Sequence, residues 1–269
     1  MSRITQKLND AKLRGGGFIP FVTSGDPDLA TSLSIVLKLA ELGADVIELG
    51  VPFSDPMADG PTIQRSSQRA LDAATTLSDV LKLAAEFRKR SDVPVVLFSY
   101  FNPILRFGLD DFQKAAADAG IDGVLLTDVI EHEAADIAVR FRKNGLDLIS
   151  LIAPTTTDER LETICANAGG FVYAVSRAGV TGARGETSAD AKRLVERARR
   201  FTDLPIAVGF GISTADQVAE VWKYADAAIV GSAIVAEIER SAGTGREVEN
   251  VERFVTALIP KFAKTGSEN

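Results

Sequence analysis

The sequence predicts an α/β protein of one kind, a closed (β/α)8 TIM barrel with an extra N-terminal helix and a C-terminal helix. Three observations carry that prediction. Eight short apolar, β-branched runs recur at intervals of a few tens of residues. Segments with helical spacing lie between them, which is the pattern of βαβ units and a parallel sheet. The chain has 269 residues, a length at which eight such units close into a barrel as one domain, here spanning residues 1–269, rather than spread as an open sheet.

The elements follow in order. The first residues, MSRITQKLNDAKLRGGGF, are amphipathic and polar. They lack the apolar core of a signal peptide and suit a helix that covers the apolar floor of the barrel. The expected strands lie in GFIPFVTS, ADVIELGV, PVVLFSYF, GVLLTD, DLISLIAP, GFVYAVSR, PIAVGFG and AAIVGSAIV. Helical spacing is clear in LATSLSIVLKLAELG, LSDVLKLAAEFRKR and SADAKRLVERARRF. Asp26 and Pro27 precede the first barrel helix, while Gly43, Gly120 and Gly145 follow helices where a C-terminal glycine belongs. VERFVTALIPKFAK reads as the last helix, and TGSEN as a fraying end. No Pro/Ser-rich linker divides the chain, and no repeat is visible in the sequence itself.

Composition narrows the function classes. The chain is 46% hydrophobic and 25% charged, with a net charge of −7. An acidic chain without a basic run is a poor candidate for nucleic acid or anionic membranes, and no apolar stretch is long enough to span a bilayer. With Cys165 as the single cysteine, no intrachain disulfide can form, so a reducing cytoplasm is the natural home.

In a barrel of this kind the chemistry sits at the C-terminal ends of the strands and in the loops that follow. Glu48 lies near the end of the second strand, Asp59 in the loop after it, and Asp128 at the end of the fourth. Asp26 and Asp55 also fall in these loops, whereas Asp45, Asp147 and Asp226 stand at strand beginnings, on the face associated with stability. Strand alternation puts Val46, Glu48 and Gly50 toward the barrel axis, with Ile47, Leu49 and Val51 toward the helices. Partial burial raises a carboxyl pKa and lets it carry a proton near neutral pH. The plain alternatives are a buried glutamate satisfied by neighbouring hydroxyls or a salt bridge, and an ordinary Asp-Gly turn at Asp59.

Other chemistries find less support. Every lysine falls in a helical segment or near a terminus, none in an apolar strand, which disfavours a Schiff base. His132, the single histidine, reads as a solvated residue at a helix start, and Cys165 as helix packing. No His-rich metal set or serine triad is visible. Metal-free, cofactor-free acid–base catalysis by carboxylates is the expectation that remains.

Glycine-containing turns follow the late strands: GVTGARGE, GFGIS and GSAI. Barrels often hold phosphate on backbone N–H groups of the last two loops and a short helix N-terminus. Gly211, Gly231 and Ser232 fit that use, while tight turns alone are the plain alternative. Gly179 to Gly185, with Thr181 between, reads as a mobile lid.

Six motifs together resemble the tryptophan synthase α subunit family: ELGVPFSDPMADGPTIQ (48–64), FIPFVTSGDP (18–27), YFNPI (100–104), VSRAGVTGARG (175–185), GFGIS (209–213) and GSAIV (231–235). The first is very specific; the glycine motifs alone are not. The resemblance runs from about Phe18 to Val235. It implies retro-aldol cleavage of indole-3-glycerol phosphate to indole and D-glyceraldehyde 3-phosphate. The Glu48 position is then the acid–base group on the ring carbon and the adjacent hydroxyl, and the Asp59 position holds the indole N–H proton. It also implies that Phe21, Tyr100, Leu125, Tyr173 and Phe210, with Ile63, line the indole pocket, that Asp128 belongs to the substrate site, that Gly182, Gly211, Gly231 and Ser232 cradle phosphate, and that Thr181 closes toward Asp59. The family works as an α2β2 complex, in which a β subunit carries pyridoxal phosphate and this chain carries no cofactor. A stand-alone lyase releasing free indole, a non-catalytic module that activates a β subunit, and another phosphate-sugar barrel enzyme such as an isomerase are the competing readings. This chain departs from the family at Thr127 and Ile130, where proline is usual on both sides of Asp128, and at Ala178, where serine or threonine is usual. The departures bear on the fourth loop, the lid and contact with a β subunit, not on Glu48 or Asp59.

Overall fold

The computed structural model describes residues 1–129, 131–175, 186–209 and 211–259. Eight parallel strands close on themselves in sequence order. They are β1 (Gly17–Thr23), β2 (Ile47–Gly50), β3 (Val95–Ser99), β4 (Gly123–Leu126), β5 (Asp147–Ile152), β6 (Val172–Val175), β7 (Ile206–Gly209) and β8 (Ala227–Val230). The barrel shuts where β1 pairs with β8, Gly17 opposite Ala227.

Twelve helices surround it among the described residues: α1 (Arg3–Leu13), α2 (Leu29–Glu41), α3 (Pro61–Asp72), α4 (Leu77–Arg88), α5 (Phe101–Phe107), α6 (Leu109–Asp118), α7 (Glu131–Lys143), α8 (Asp158–Asn167), α9 (Glu186–Ala198), α10 (Ala215–Trp222), α11 (Ser232–Ser241) and α12 (Glu247–Leu258). The expected barrel with an added helix at each end is thus present. Two further helices were not legible as separate elements. The segment after β2 holds both α3 and α4, and the YFNPI motif forms the short α5.

Local chemistry sets the boundaries. The Asp28 carboxylate accepts the Thr31 N–H at 2.8 Å and caps α2, directly after the Asp26–Pro27 pair expected to precede the helix. Thr76 with Asp79, and Thr214 with Gln217, form capping boxes. Gly43, Gly120 and Gly145 all take positive φ after their helices, where a residue with a side chain is strained.

Strand alternation divides the core in two. Phe18, Val22, Ile47, Leu49, Val95, Leu97, Val124 and Leu126 face the helices. Ile19, Val46, Val96, Leu125, Ile149, Phe171, Ala207 and Ile229 fill the barrel, and Ile4 and Leu8 of α1 join them. The N-terminal helix therefore plugs the floor. Around that floor Asp45, Asp122 and Asp226 accept the N–H groups of Phe18, Val95 and Ile206 and pair with Arg14, Arg3 and Lys12. Those aspartates fasten strand beginnings to the plug, leaving the opposite mouth open.

Candidate active site

A cavity opens at the C-terminal mouth, lined by Phe21, Glu48, Ala58, Asp59, Gly60, Ile63, Phe98, Thr127, Leu151, Tyr173, Val175, Gly211, Ile229, Gly231 and Ser232. Its walls are largely apolar with a few converging polar groups, as small-molecule sites commonly are.

Glu48 stands at the middle of β2, opposite Phe21 on β1 and Val96 on β3. Its inward position follows from the alternation that sends Val46 to the barrel interior. It is 1% exposed, and its Oε1 atom has no hydrogen-bond partner. Burial without a compensating cation penalises the anion and pushes its pKa up to about 8. The group is a neutral acid at pH 7. Among the described residues no cation pairs with it.

Asp59 differs. It is half-buried in the loop between β2 and α3. Burial pushes its pKa up to about 6, and a hydrogen bond from Tyr100 opposes that rise. The Tyr100 hydroxyl donates to Asp59 Oδ2 at 3.1 Å and accepts the Ala58 N–H at 2.9 Å. Its ring stacks on Phe53 with centroids 4.8 Å apart. At neutral pH the cavity thus holds one protonated and one mainly ionised carboxyl, an arrangement that separates proton donor from charge stabiliser.

The remaining expected residues fall into three groups. Phe21, Ile63 and Tyr173 line the cavity, as do Gly211, Gly231 and Ser232. The edge of the Phe21 ring meets Phe98 at 5.2 Å between centroids. Tyr173 lies so close to β7 that a Cβ at Gly209 would stand 2.3 Å from its hydroxyl. Leu125, Tyr100 and Asp128 are placed off the wall. Leu125 is fully buried among the barrel-filling residues. Tyr100 is 5% exposed and is engaged with Asp59. The Asp128 carboxylate accepts the Phe101 N–H at 2.7 Å and so serves the first turn of α5. Thr181, Gly182 and Phe210 lie outside the described residues, as do the rest of the expected lid and the departures Ile130 and Ala178.

Gly211 takes φ +75°, a conformation natural to glycine. Gly231 caps α11 without a side-chain bond, which leaves the first N–H groups of that helix facing the mouth. A helix N-terminus with free N–H groups is suited to an anion. The helix that follows Asp59, α3, also begins at the mouth, with Gly60 as its cap and Pro61 at its first position.

Side chains tie these two helices together. Arg69 of α3 grips Asp26 with two bonds of 2.7 and 2.8 Å and reaches Glu239 of α11 at 2.8 Å. Arg65 binds the same glutamate at 2.7 and 2.8 Å. Asp26 is 1% exposed; burial raises its pKa while Arg69 pulls it down. The sequence placed Asp26 at the active face without showing this structural duty.

Phe98, Thr127, Leu151, Val175 and Ile229 also line the cavity but were not singled out as site residues. All five follow from extending the alternation of Val96, Leu125, Ile149, Tyr173 and Ala227 by two residues toward the C-terminal ends of the strands. Among the described residues no cluster of His, Cys, Asp or Glu could hold a metal ion, and no helix is long and apolar enough to cross a membrane. Cys165 is buried in α8.

The comparisons with known proteins agree with one another. A family model described as tryptophan synthase alpha chain matches residues 8–263. The tryptophan synthase alpha chain of Geobacter sulfurreducens is 49% identical over 261 residues, covering 96% of this chain and 98% of that one. That of Citrifermentans bemidjiense is 47% identical over 259 residues, covering 96% and 97%. Among solved structures, the alpha chain from Legionella pneumophila superposes with a TM-score of 0.88 at 34% identity over the whole of both chains. The A-subunit from Pyrococcus furiosus gives 0.84 at 40% identity, covering 90% and 97%.

Proposed function

The chain belongs to the tryptophan synthase alpha chain family, and from that premise we propose that Glu48 and Asp59 divide the proton work of its reaction. That reaction is the retro-aldol cleavage of indole-3-glycerol phosphate to indole and D-glyceraldehyde 3-phosphate, a lyase step of L-tryptophan biosynthesis. The observation that carries the division is the contrast between a buried Glu48 whose Oε1 has no hydrogen-bond partner and a half-buried Asp59 held by Tyr100.

The steps balance on these two groups. Neutral Glu48 gives its proton to the indole ring carbon that bears the side chain. Positive charge then develops on the ring nitrogen, and the Asp59 carboxylate stabilises its N–H. The carbon–carbon bond breaks, its electron pair returns to the ring, and the hydroxyl proton of the departing fragment passes to Glu48. The glutamate ends as it began. Phe21, Ile63, Phe98 and Tyr173 offer flat apolar surface to the indole, while Gly211, Gly231 and Ser232 supply N–H groups and a hydroxyl for phosphate. Thr181, Gly182 and Phe210 keep the roles the family implies. The mechanism uses no metal and no cofactor in this chain.

We further propose an α2β2 assembly in the cytoplasm, with pyridoxal phosphate in the β subunit that receives the indole. The loop that carries Asp59 also presents Met57, 93% exposed, an apolar side chain suited to a partner surface. A β subunit docking there would bear directly on Asp59.

Glu48→Gln tests the central claim. It should abolish cleavage of indole-3-glycerol phosphate while leaving binding of glycerol 3-phosphate intact; near-normal turnover would sink the assigned role. Turnover measured with and without a β subunit separates complex-dependent action from a stand-alone lyase. Strong release of indole by the chain alone would favour the latter.

A further inference from the structure

Thr127 is a departure from the family pattern, and its side chain has no part in the mechanism above. It directly follows β4, on the inward parity that runs Gly123, Leu125, Thr127. The register of β3 with β4 pairs Val96 with Gly123 and Phe98 with Leu125. Continued by two residues, it sets Thr127 beside Tyr100. The two strand ends are fastened at that level, because the Thr127 N–H donates to the Ser99 carbonyl at 3.1 Å.

Thr127 Oγ1 is buried and makes no hydrogen bond of normal geometry. An unpaired buried hydroxyl is costly and calls for an explanation. Its neighbour by register, Tyr100, has room for a donor. A phenol oxygen has one hydrogen to give and two lone pairs to fill. Tyr100 gives its hydrogen to Asp59 and fills one lone pair with the Ala58 N–H. One lone pair remains.

We infer that Thr127 is a positioning residue of the acid–base site: its hydroxyl donates to the phenol oxygen of Tyr100 and so aims that phenol's own hydrogen at Asp59. The contact is already close enough to ease ionisation of Tyr100 against the opposing effects of burial and Asp59. Chained hydrogen bonds polarise one another, so a phenol that accepts from Thr127 is a stronger donor to Asp59. The result is an Asp59 that stays ionised to lower pH.

Among the described residues the charged and titratable surroundings are these. Glu48 and Tyr173 share the cavity with Asp59, and Tyr173 is held neutral by burial beside both carboxyls. Asp128, next in the chain, is committed to the Phe101 N–H. A second cavity behind Thr127, between β4, β5, α7 and α8, brings Arg160 into the same region.

The inference rests on the reading in which Asp59 acts as the anion. Its test is the pH dependence of kcat/KM for indole-3-glycerol phosphate in the wild type, Thr127→Val, Thr127→Ser and Tyr100→Phe. The acid limb, expected near pH 6, should move up by about 0.3–0.5 unit in Thr127→Val. The basic limb should stay, and serine should restore the wild-type profile. In a Tyr100→Phe background the valine substitution should move nothing further. An unshifted acid limb in Thr127→Val, whatever its rate, would overturn the inference, as would an equal shift with Phe at 100. Should the valine variant fold poorly, Thr127→Ala read against Thr127→Ser gives the same comparison. Asp59→Asn separates the two levels: full activity in that variant defeats the reading of Asp59 itself, whereas its loss of activity together with an unmoved limb in Thr127→Val defeats only the role of Thr127.

Discussion

The phenolic hydroxyl of Tyr100 donates to the Asp59 carboxylate at 3.1 Å, so the residue expected as a wall of the indole pocket is the hydrogen-bond partner of a proposed catalytic carboxylate. Removing that hydroxyl in Tyr100→Phe leaves Asp59 half-buried without its donor. Its pKa should rise above the present value of about 6, and kcat/KM at pH 6.5 should fall by about tenfold, the equivalent of one lost net hydrogen bond to a charged group. A pH profile with an unmoved acid limb would contradict this.

The wild-type profile of kcat/KM should be bell-shaped. The proposed mechanism needs Asp59 ionised and Glu48 protonated, which places the acid limb near 6 and the basic limb near 8. Both limbs belong to the pair, since the two groups share one cavity. A rate that climbs steadily through pH 9 would exclude a protonated Glu48.

Stability should move with the same group. The folded Glu48 has a pKa of about 8 against 4.5 for the free group. The native state therefore holds a proton that the unfolded chain releases, and stability falls as pH rises from about 4.5 to about 8. At pH 7 the cost is on the order of 3 kcal/mol. Glu48→Gln should recover part of it, with a higher Tm at pH 8 and a flatter dependence of Tm on pH. Parallel Tm curves for the two proteins would refute the assignment.

Arg69→Met should act in two ways. It leaves Asp26 buried without its cation and costs about 3 kcal/mol in urea unfolding. It also removes one of the two arginines that tie α3 to α11, leaving Arg65 as the remaining link to Glu239, and these helices begin beside Asp59 and at the proposed phosphate site. The KM for indole-3-glycerol phosphate should therefore rise more than the affinity for indole falls. Equal losses for both ligands would show that the network serves stability alone.

Gly209→Ala places a Cβ where the Tyr173 hydroxyl now lies, 2.3 Å away. The ring must tilt into the cavity, so KM should rise by tenfold or more with little change in Tm. An unchanged KM would mean that Tyr173 does not bound the substrate.

The sequence by itself determined the barrel, its floor helix, the open mouth and the inward aim of Glu48. Those features follow from local rules: the period of two along a strand, the apolar run, the cap, the glycine after a helix. The motif at 48–64 also carried the family, because so long a run of specific residues has little room for coincidence. Tertiary structure alone decided which side chains meet. Tyr100 lies 41 residues from Asp59 in the chain, Arg69 lies 43 from Asp26 and 170 from Glu239, and Thr127 comes beside Tyr100 through strand register. Leu125 is buried among the barrel-filling residues, and the Asp128 carboxylate takes a backbone N–H, for the same reason. Parity along one strand says which way a residue points; only the stagger of neighbouring strands around the closed barrel says how high it stands and whom it faces.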